Sequence, residues 1–200
     1  MRETTLTLEQ IEVILTGYPD SPYYVRQNIV IPNCSWDYLN HEADLLVLTK
    51  AKYLVEIEIK RTWNDFMADF KKCHNHDDPK LSYLYYAVPL SIAERVFNWL
   101  YEGEYKCRPG FIYYNHSDVA GYTEHNPHHC GLIIYADAEE SSCRGNRIGS
   151  CCINVSPERM NKYKVPVEEE LKLLRLLGLR IWNMKKKLAE HQIEPSLFNK

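Results

Sequence analysis

The sequence predicts an α/β protein in which helices flank a mixed β-sheet. Short aliphatic runs of strand length alternate with longer segments whose apolar residues recur at helical spacing. Two central runs are separated by only three polar residues, which is typical of an antiparallel hairpin. A long helical segment, Val167 to His191, forms a C-terminal extension. We expect one domain of 200 residues, with a core at about 5–137 and a C-terminal elaboration at about 138–200.

The first elements are a helix and a strand. Thr5 to Thr16 is predicted to be helical because Leu8, Ile11 and Leu15 form an apolar stripe at helical spacing. A strand is then expected from Tyr24 to Ile31. Together they place one helix and one strand before the hairpin.

The hairpin consists of the runs 45–49 and 53–60, which are predicted to pair as antiparallel strands. A three-residue loop between them sets Asp44 opposite Glu58. Because side chains alternate along a strand, one face of the hairpin is apolar and forms a core: Leu45, Val47, Val55, Ile57 and Ile59. The other face carries the charged side chains: Asp44, Glu56, Glu58 and Lys60.

Three carboxylates and an ammonium gathered on one face repel one another and resist desolvation unless a cation joins them. Carboxylate oxygens with room for water favour Mg²⁺ or Mn²⁺ over zinc. The chemistry that such a cluster supports is metal-assisted hydrolysis of a phosphodiester. The alternative is a solvent-facing strand edge that carries ordinary charges.

A helix follows the hairpin and begins at Thr62, with a capping box to Asp65. Its buried face is predicted from the spacing of its apolar residues, and it should pack on the sheet behind the charged cluster: Trp63, Phe66, Met67 and Phe70. The opposite face is expected to be solvated: Asp65, Asp69 and Lys72.

The rest of the core alternates strand and helix. We predict a buried strand at Leu81 to Val88, an amphipathic helix at Ser91 to Tyr101, and a strand at Gly131 to Tyr135. Gly103 to Pro127 is polar and contains several helix and strand breakers, which indicates a loop-rich segment. Ile148 to Val155 is a further candidate strand.

The order of these segments resembles that of the MmcB-like DNA repair nucleases, a family of the PD-(D/E)xK nuclease superfamily. The resemblance covers about residues 5–137 and rests on a strand ending in EIK, a helix with a D-F-x-x-D-x-K pattern, and two later strands. The matching residues are Glu58 to Lys60, then Asp65, Phe66, Asp69 and Lys71, then Leu84 to Pro89 and Gly131 to Asp137.

This resemblance implies a restriction-endonuclease-like fold and a nuclease that hydrolyses DNA with Mg²⁺ or Mn²⁺, with a role in DNA repair. Asp44 and Glu58 would be the metal ligands and Lys60 the catalytic lysine. Further candidates are auxiliary acids and contacts to nucleic acid: Glu12, Glu56, Lys71 and Lys72. RNA as the substrate is left open.

The composition bears on partners and location. The 24 basic and 27 acidic residues give a net charge of −3, which does not mark a nucleic-acid-binding protein, although residues 158–187 hold nine Lys or Arg against four Glu. A catalytically inactive nucleic-acid- or protein-binding module on the same fold is therefore the alternative, with the C-terminal helix as a route to a homo-oligomer. A polar N-terminus and short apolar runs predict a cytoplasmic protein that has no membrane partner.

Cysteine and histidine residues offer two further alternatives. The seven cysteines are expected to be reduced thiols. A zinc-stabilised scaffold could draw on two clusters, although neither has paired Cys-x2-Cys spacing: Cys73, His74 and His76, and His125, His128, His129 and Cys130. A thiol enzyme that uses Cys73 and His74 is less favoured, because catalytic partners usually come from separate elements.

Overall fold

The computed structural model confirms the α/β class. It describes residues 4–34, 38–71, 76, 78–102, 110–111, 131–137, 149–153, 157 and 159–192. These fall into two compact units, Met1–Val165 and Pro166–Lys200. The elements in chain order are α1 (Leu8–Thr16), β1 (Ile29–Cys34), β2 (Ala43–Leu48), β3 (Leu54–Ile59), α2 (Trp63–Asp69), β4 (Leu81–Pro89), α3 (Leu90–Glu102), β5 (Gly110–Phe111), β6 (Gly131–Asp137), β7 (Gly149–Ile153) and α4 (Val167–Gln192).

Within the described residues, seven strands form one mixed sheet in the order β1-β2-β3-β4-β6-β5, with β7 also paired to β6. The first three strands are antiparallel neighbours. The β3–β4, β4–β6 and β5–β6 pairs are parallel, whereas β7 runs antiparallel to β6. The sheet is therefore antiparallel at the β1 side and parallel from β3 to β6, and β3 lies between the two parts.

The β2–β3 hairpin has the predicted register. The Thr49 amide donates to the Tyr53 carbonyl at 3.0 Å, and Leu45 pairs with Ile57. Lys52, the last loop residue, has a φ of 68°. A left-handed residue at this position closes a three-residue hairpin loop in a way that matches the twist of the strands.

One face of the sheet forms a hydrophobic core with α1. The helix contributes Ile11, Ile14 and Leu15, all at most 1% exposed. The five apolar hairpin residues predicted to share a face all lie in this core: Leu45, Val47, Val55, Ile57 and Ile59. Tyr85, Ala87 and Tyr135 extend it across β4 and β6.

The other face packs against α2 and α3, as predicted for α2. Thr62 caps α2 by accepting a hydrogen bond from the Asp65 amide at 3.1 Å. Phe66 is fully buried, and its ring lies 5.3 Å from that of Tyr86 on β4. α3 adds Ala93, Val96 and Leu100 to the same cluster. α2 is thus fixed on the charged side of the hairpin.

Two predicted element starts are wrong. α1 begins at Leu8 rather than Thr5, because Thr7 and Gln10 form a capping box that defines the helix start. β1 begins at Ile29 rather than Tyr24, because the backbone from 24 to 28 forms turns in which the Gln27 and Asn28 amides donate to the Tyr24 carbonyl. The predicted loop segment 103–127 contains β5, and its other residues lie outside the described part of the chain.

α4 forms most of the second unit and runs for 26 residues. Large apolar side chains along it are exposed, among them Leu171, Ile181 and Trp182. Among the described residues, no helix is both long and apolar enough to cross a membrane.

Phe66→Ala should lower the free energy of unfolding by about 3–5 kcal/mol, because it leaves a cavity between α2 and the sheet. Urea unfolding followed by circular dichroism measures this. Asn64→Ala on the exposed side of the same helix should change the value by no more than about 0.5 kcal/mol. Equal losses in the two variants would show that α2 does not anchor this layer.

Candidate active site

β3 and the residue directly after it carry three charged side chains into the protein interior. Glu56, Glu58 and Lys60 are 0%, 2% and 3% exposed. They alternate with Val55, Ile57 and Ile59, which lie in the core on the opposite face. A fully buried charge is tolerated only when it is paired and hydrogen-bonded, so the partners of these groups define the site.

Lys60 is held between two carboxylates. Its Nζ lies 2.6 Å from Oε2 of Glu58 and 3.0 Å from Oδ1 of Asp69. Burial opposes the charged form, but the two carboxylates outweigh it and raise the pKa of Lys60 above its ordinary value. The ammonium is therefore protonated at neutral pH.

Asp44 lies beside Glu58 and is more exposed to solvent than Glu58 and Lys60. Extending the hairpin register by one pair beyond Leu45 and Ile57 sets it opposite Glu58. Its amide donates to Oε1 of Glu58 at 3.5 Å. Its own Oδ2 accepts a hydrogen bond from the Ile59 amide at 2.7 Å. Asp44 is half-buried, whereas Glu58 is buried, so solvent reaches this cluster at Asp44.

The crowding of acids changes the titration of Glu58. Burial raises the pKa of Glu58 to about 7; the charge of Lys60 opposes that rise, and the charges of Asp44 and Glu56 add to it. The charged form of Glu58 is therefore disfavoured in this buried position among other acids. This is an environment that attracts a further cation.

Asp69 is the residue that the sequence analysis placed incorrectly. The predicted solvated position is wrong: Asp69 is 4% exposed and faces the sheet. Its Oδ2 accepts from the Tyr86 hydroxyl at 2.9 Å and lies 2.8 Å from Nε2 of His76. The signal was present in the sequence, because Asp69 follows Phe66 by three residues and so shares its side of the helix.

Glu56 is paired with two imidazoles. Its Oε1 lies 2.6 Å from Nε2 of His41 and 2.9 Å from Nδ1 of His76. Burial favours the neutral acid, but the hydrogen bonds from both rings outweigh it and lower the pKa of Glu56 to about 2. Among the described residues, the other carboxylate oxygen, Oε2, has no hydrogen-bond partner.

His76 connects the two halves of the site. Burial disfavours its charge, but the hydrogen bonds to Asp69 and Glu56 prevail and raise the pKa of His76 to about 10. The result is a continuous series of contacts, which we call the buried charge network: His41, Glu56, His76, Asp69, Lys60 and Glu58.

His41 is not among the residues predicted from the sequence, and the structure places His76 against Glu56 and Asp69. His41 stands in a connection before β2, where no periodic pattern singles it out. His76 was considered as a soft ligand beside Cys73 and His74, which lie outside the described residues. The second predicted zinc cluster, 125–130, also lies outside them.

Two other predicted site residues, Glu12 and Lys71, are not part of the buried charge network. Glu12 is on α1, whose apolar residues pack against the opposite face of the sheet. Lys71 is exposed just after α2, and its amide donates to the Ala68 carbonyl at 3.1 Å. Lys72 lies outside the described part of the chain.

Comparisons with known proteins add a likeness of fold. No protein-family model matches the sequence, and no curated protein matches it. A solved structure of a protein of unknown function from Silicibacter pomeroyi is similar, with a TM-score of 0.50 and 11% sequence identity; the match covers 98% of this chain and 100% of that one. At this identity the likeness concerns the fold alone. Fold and site together define an α/β protein with charged groups buried between its central hairpin and α2.

Asp69→Asn should lower the free energy of unfolding by about 3–5 kcal/mol, because it leaves the buried ammonium of Lys60 and the ring N–H of His76 without their shared carboxylate. Chemical denaturation at neutral pH measures the loss. Asp65→Asn is the matched control on the same helix. Its exposed Oδ2 accepts from the Arg61 amide, and asparagine retains an acceptor oxygen. A change within about 0.5 kcal/mol is expected there, and the same small change for Asp69→Asn would contradict the ionic role of Asp69.

Proposed function

We propose that this protein is a metal-dependent nuclease that hydrolyses DNA phosphodiester bonds on a restriction-endonuclease-like fold. The observation that carries the proposal is the convergence of Asp44, Glu58 and Lys60 at one end of the β2–β3 hairpin. The two carboxylates come from facing positions on neighbouring strands, and the ammonium lies 2.6 Å from one of them. A role in DNA repair follows from the resemblance of the sequence order and belongs to the same proposal.

The donor set fits Mg²⁺ or Mn²⁺. Asp44 and Glu58 offer carboxylate oxygens, which hard cations prefer. The half-buried position of Asp44 leaves room for the waters that Mg²⁺ keeps in its coordination shell. A bound ion would polarise a phosphoryl oxygen and lower the pKa of a coordinated water.

Lys60 is suited to stabilising negative charge. Since its pKa is raised, it stays protonated and donates hydrogen bonds instead of accepting a proton from water. Glu58 and Asp69 hold its Nζ at 2.6 and 3.0 Å, so the ammonium is oriented before substrate arrives. Such preorganised donors act where charge accumulates in the transition state.

Glu56 serves this site indirectly. It faces His41 and His76 rather than Lys60, so its part in the proposed reaction is to fix the far end of the buried charge network. Lys71, which is exposed just after α2, is available as a contact to the DNA backbone.

A catalytically inactive binding module on the same fold is the second candidate. The observation that favours it is the burial of Glu58 and Lys60, both at most 3% exposed, together with a net charge of −3. Two carboxylates already engage the ammonium. DNA binding without metal-dependent cleavage would support this candidate over the nuclease.

Asp44→Asn should reduce DNA cleavage at least about 100-fold, equivalent to about 2.7 kcal/mol of transition-state stabilisation, because it removes one anionic ligand. Asparagine keeps an oxygen to accept from the Ile59 amide. Nicking of supercoiled plasmid in Mn²⁺, with chelator as the blank, measures the rate.

Glu42→Gln is the control, since Glu42 is an exposed carboxylate two residues away. It should cleave at the parental rate. Parental cleavage by Asp44→Asn, or cleavage that survives the chelator in all three proteins, would refute the assignment.

A further inference from the structure

We propose that His41, Glu56 and His76 form a separate site for a divalent transition-metal ion and that this site prefers zinc. The site is distinct from the oxygen-ligand site at Asp44 and Glu58 and goes beyond the proposed nuclease function. The donor atoms of the three side chains all lie within 4.8 Å of one another, and all three residues are buried.

The ring nitrogens of both histidines lie against oxygen atoms. Both ring nitrogens of His41 face oxygens, Oδ1 of Asn40 at 2.5 Å and Oε1 of Glu56 at 2.6 Å. Both nitrogens of His76 do the same, facing Oε1 of Glu56 and Oδ2 of Asp69. Four nitrogens face oxygens, yet two neutral imidazoles carry only two N–H groups. Added ring protons, a reversed Asn40 amide or a divalent cation can supply the difference.

The geometry favours the cation. The inner nitrogens of both rings point at the same atom, Oε1 of Glu56, and the ring centroids of His41 and His76 are 5.0 Å apart. Two imidazolium charges so close together in a buried site repel each other. One ion bound by the two inner nitrogens and the Glu56 carboxylate would replace both inner protons and leave the rings neutral.

The outer nitrogens have the partners that metal-bound histidines have. A ligating imidazole usually donates its other N–H to a carboxylate or carbonyl oxygen, which fixes the tautomer and the ring orientation. Asn40 holds His41 in this way, and Asp69 holds His76. His76 also has a left-handed backbone with φ of 52°, and the contacts of its side chain compensate for that conformation.

Glu56 supplies the remaining coordination. Its Oε2 is buried and has no hydrogen-bond partner among the described residues, whereas its Oε1 already faces both imidazoles. A bidentate carboxylate with two imidazoles gives the four donors that zinc prefers, at about 2.0–2.2 Å. Imidazole ligands also select zinc over magnesium, so the two proposed sites would take different ions.

An ion at this position would fix His76, which contacts Asp69, which in turn contacts Lys60. Its role is therefore structural, and binding should raise the melting temperature of the full chain. We expect a single zinc per chain after purification without a polyhistidine tag and dialysis against metal-free buffer. Zn²⁺ added to chelator-treated protein should restore the higher melting temperature, and Mg²⁺ at equal concentration should not.

The variants separate this site from other zinc ligands in the chain. His41→Ala should abolish stoichiometric zinc, whereas replacing His125, His128 and His129 together by alanine should leave it bound. Asn40→Ala should weaken zinc about 10–100-fold, the usual effect of losing an outer partner, and Asn40→Asp should retain it. Asn40 is exposed, so this pair tests the site even if His41→Ala does not fold.

Cobalt substitution of the unaltered protein gives a test that needs no variant. Co²⁺ should show absorption of a nitrogen- and oxygen-ligated ion without a thiolate charge-transfer band. The proposal is overturned by zinc-free protein that gains no stability from added Zn²⁺, by a thiolate band, or by loss of zinc in the triple histidine variant alone. All these readouts are made without DNA, so they do not depend on nuclease activity.

Discussion

The ion pair between Lys60 and its two carboxylates is the interaction on which the rest of this site depends. β3 and the next residue present Glu56, Glu58 and Lys60 on one face and aliphatic residues on the other, and both faces are buried. Asp69 comes from α2. Without it, the ammonium of Lys60 and the imidazole of His76 would each lose a carboxylate partner in the interior. The placement of α2 is therefore an electrostatic requirement as well as a matter of apolar packing.

The fold holds this arrangement from both sides of the sheet. On one side, the core with α1 fixes the register of the hairpin, and this register sets Asp44 opposite Glu58. On the other, Phe66 anchors α2 so that Asp69 reaches Lys60 and Tyr86. Tyr135 on β6 adds a hydrogen bond from its hydroxyl to the Lys60 carbonyl at 3.2 Å. Rigid support of this kind is what a preorganised charged site needs.

The buried charge network joins two regions of different ligand chemistry. At the Asp44 end the donors are carboxylate oxygens near solvent, which suit a hard cation and a phosphate. At the His41 end they are imidazole nitrogens around a buried carboxylate, which suit a transition metal. His76, Asp69 and Lys60 lie between the two ends, so a change at one end alters the electrostatic environment of the other.

The sequence by itself determined the α/β class, the hairpin register and the division of its residues between two faces, because a period of two residues and a three-residue loop are local properties. It also indicated α2 through the spacing of Phe66 and its apolar neighbours. It did not determine the partners of the charged face. His41 and His76 contact Glu56 from positions 15 and 20 residues away, and the charge of Asp69 by itself predicts a solvated position. Only the tertiary structure decided those contacts, since they depend on where α2, His41 and His76 lie relative to β3, and no local periodicity encodes that placement.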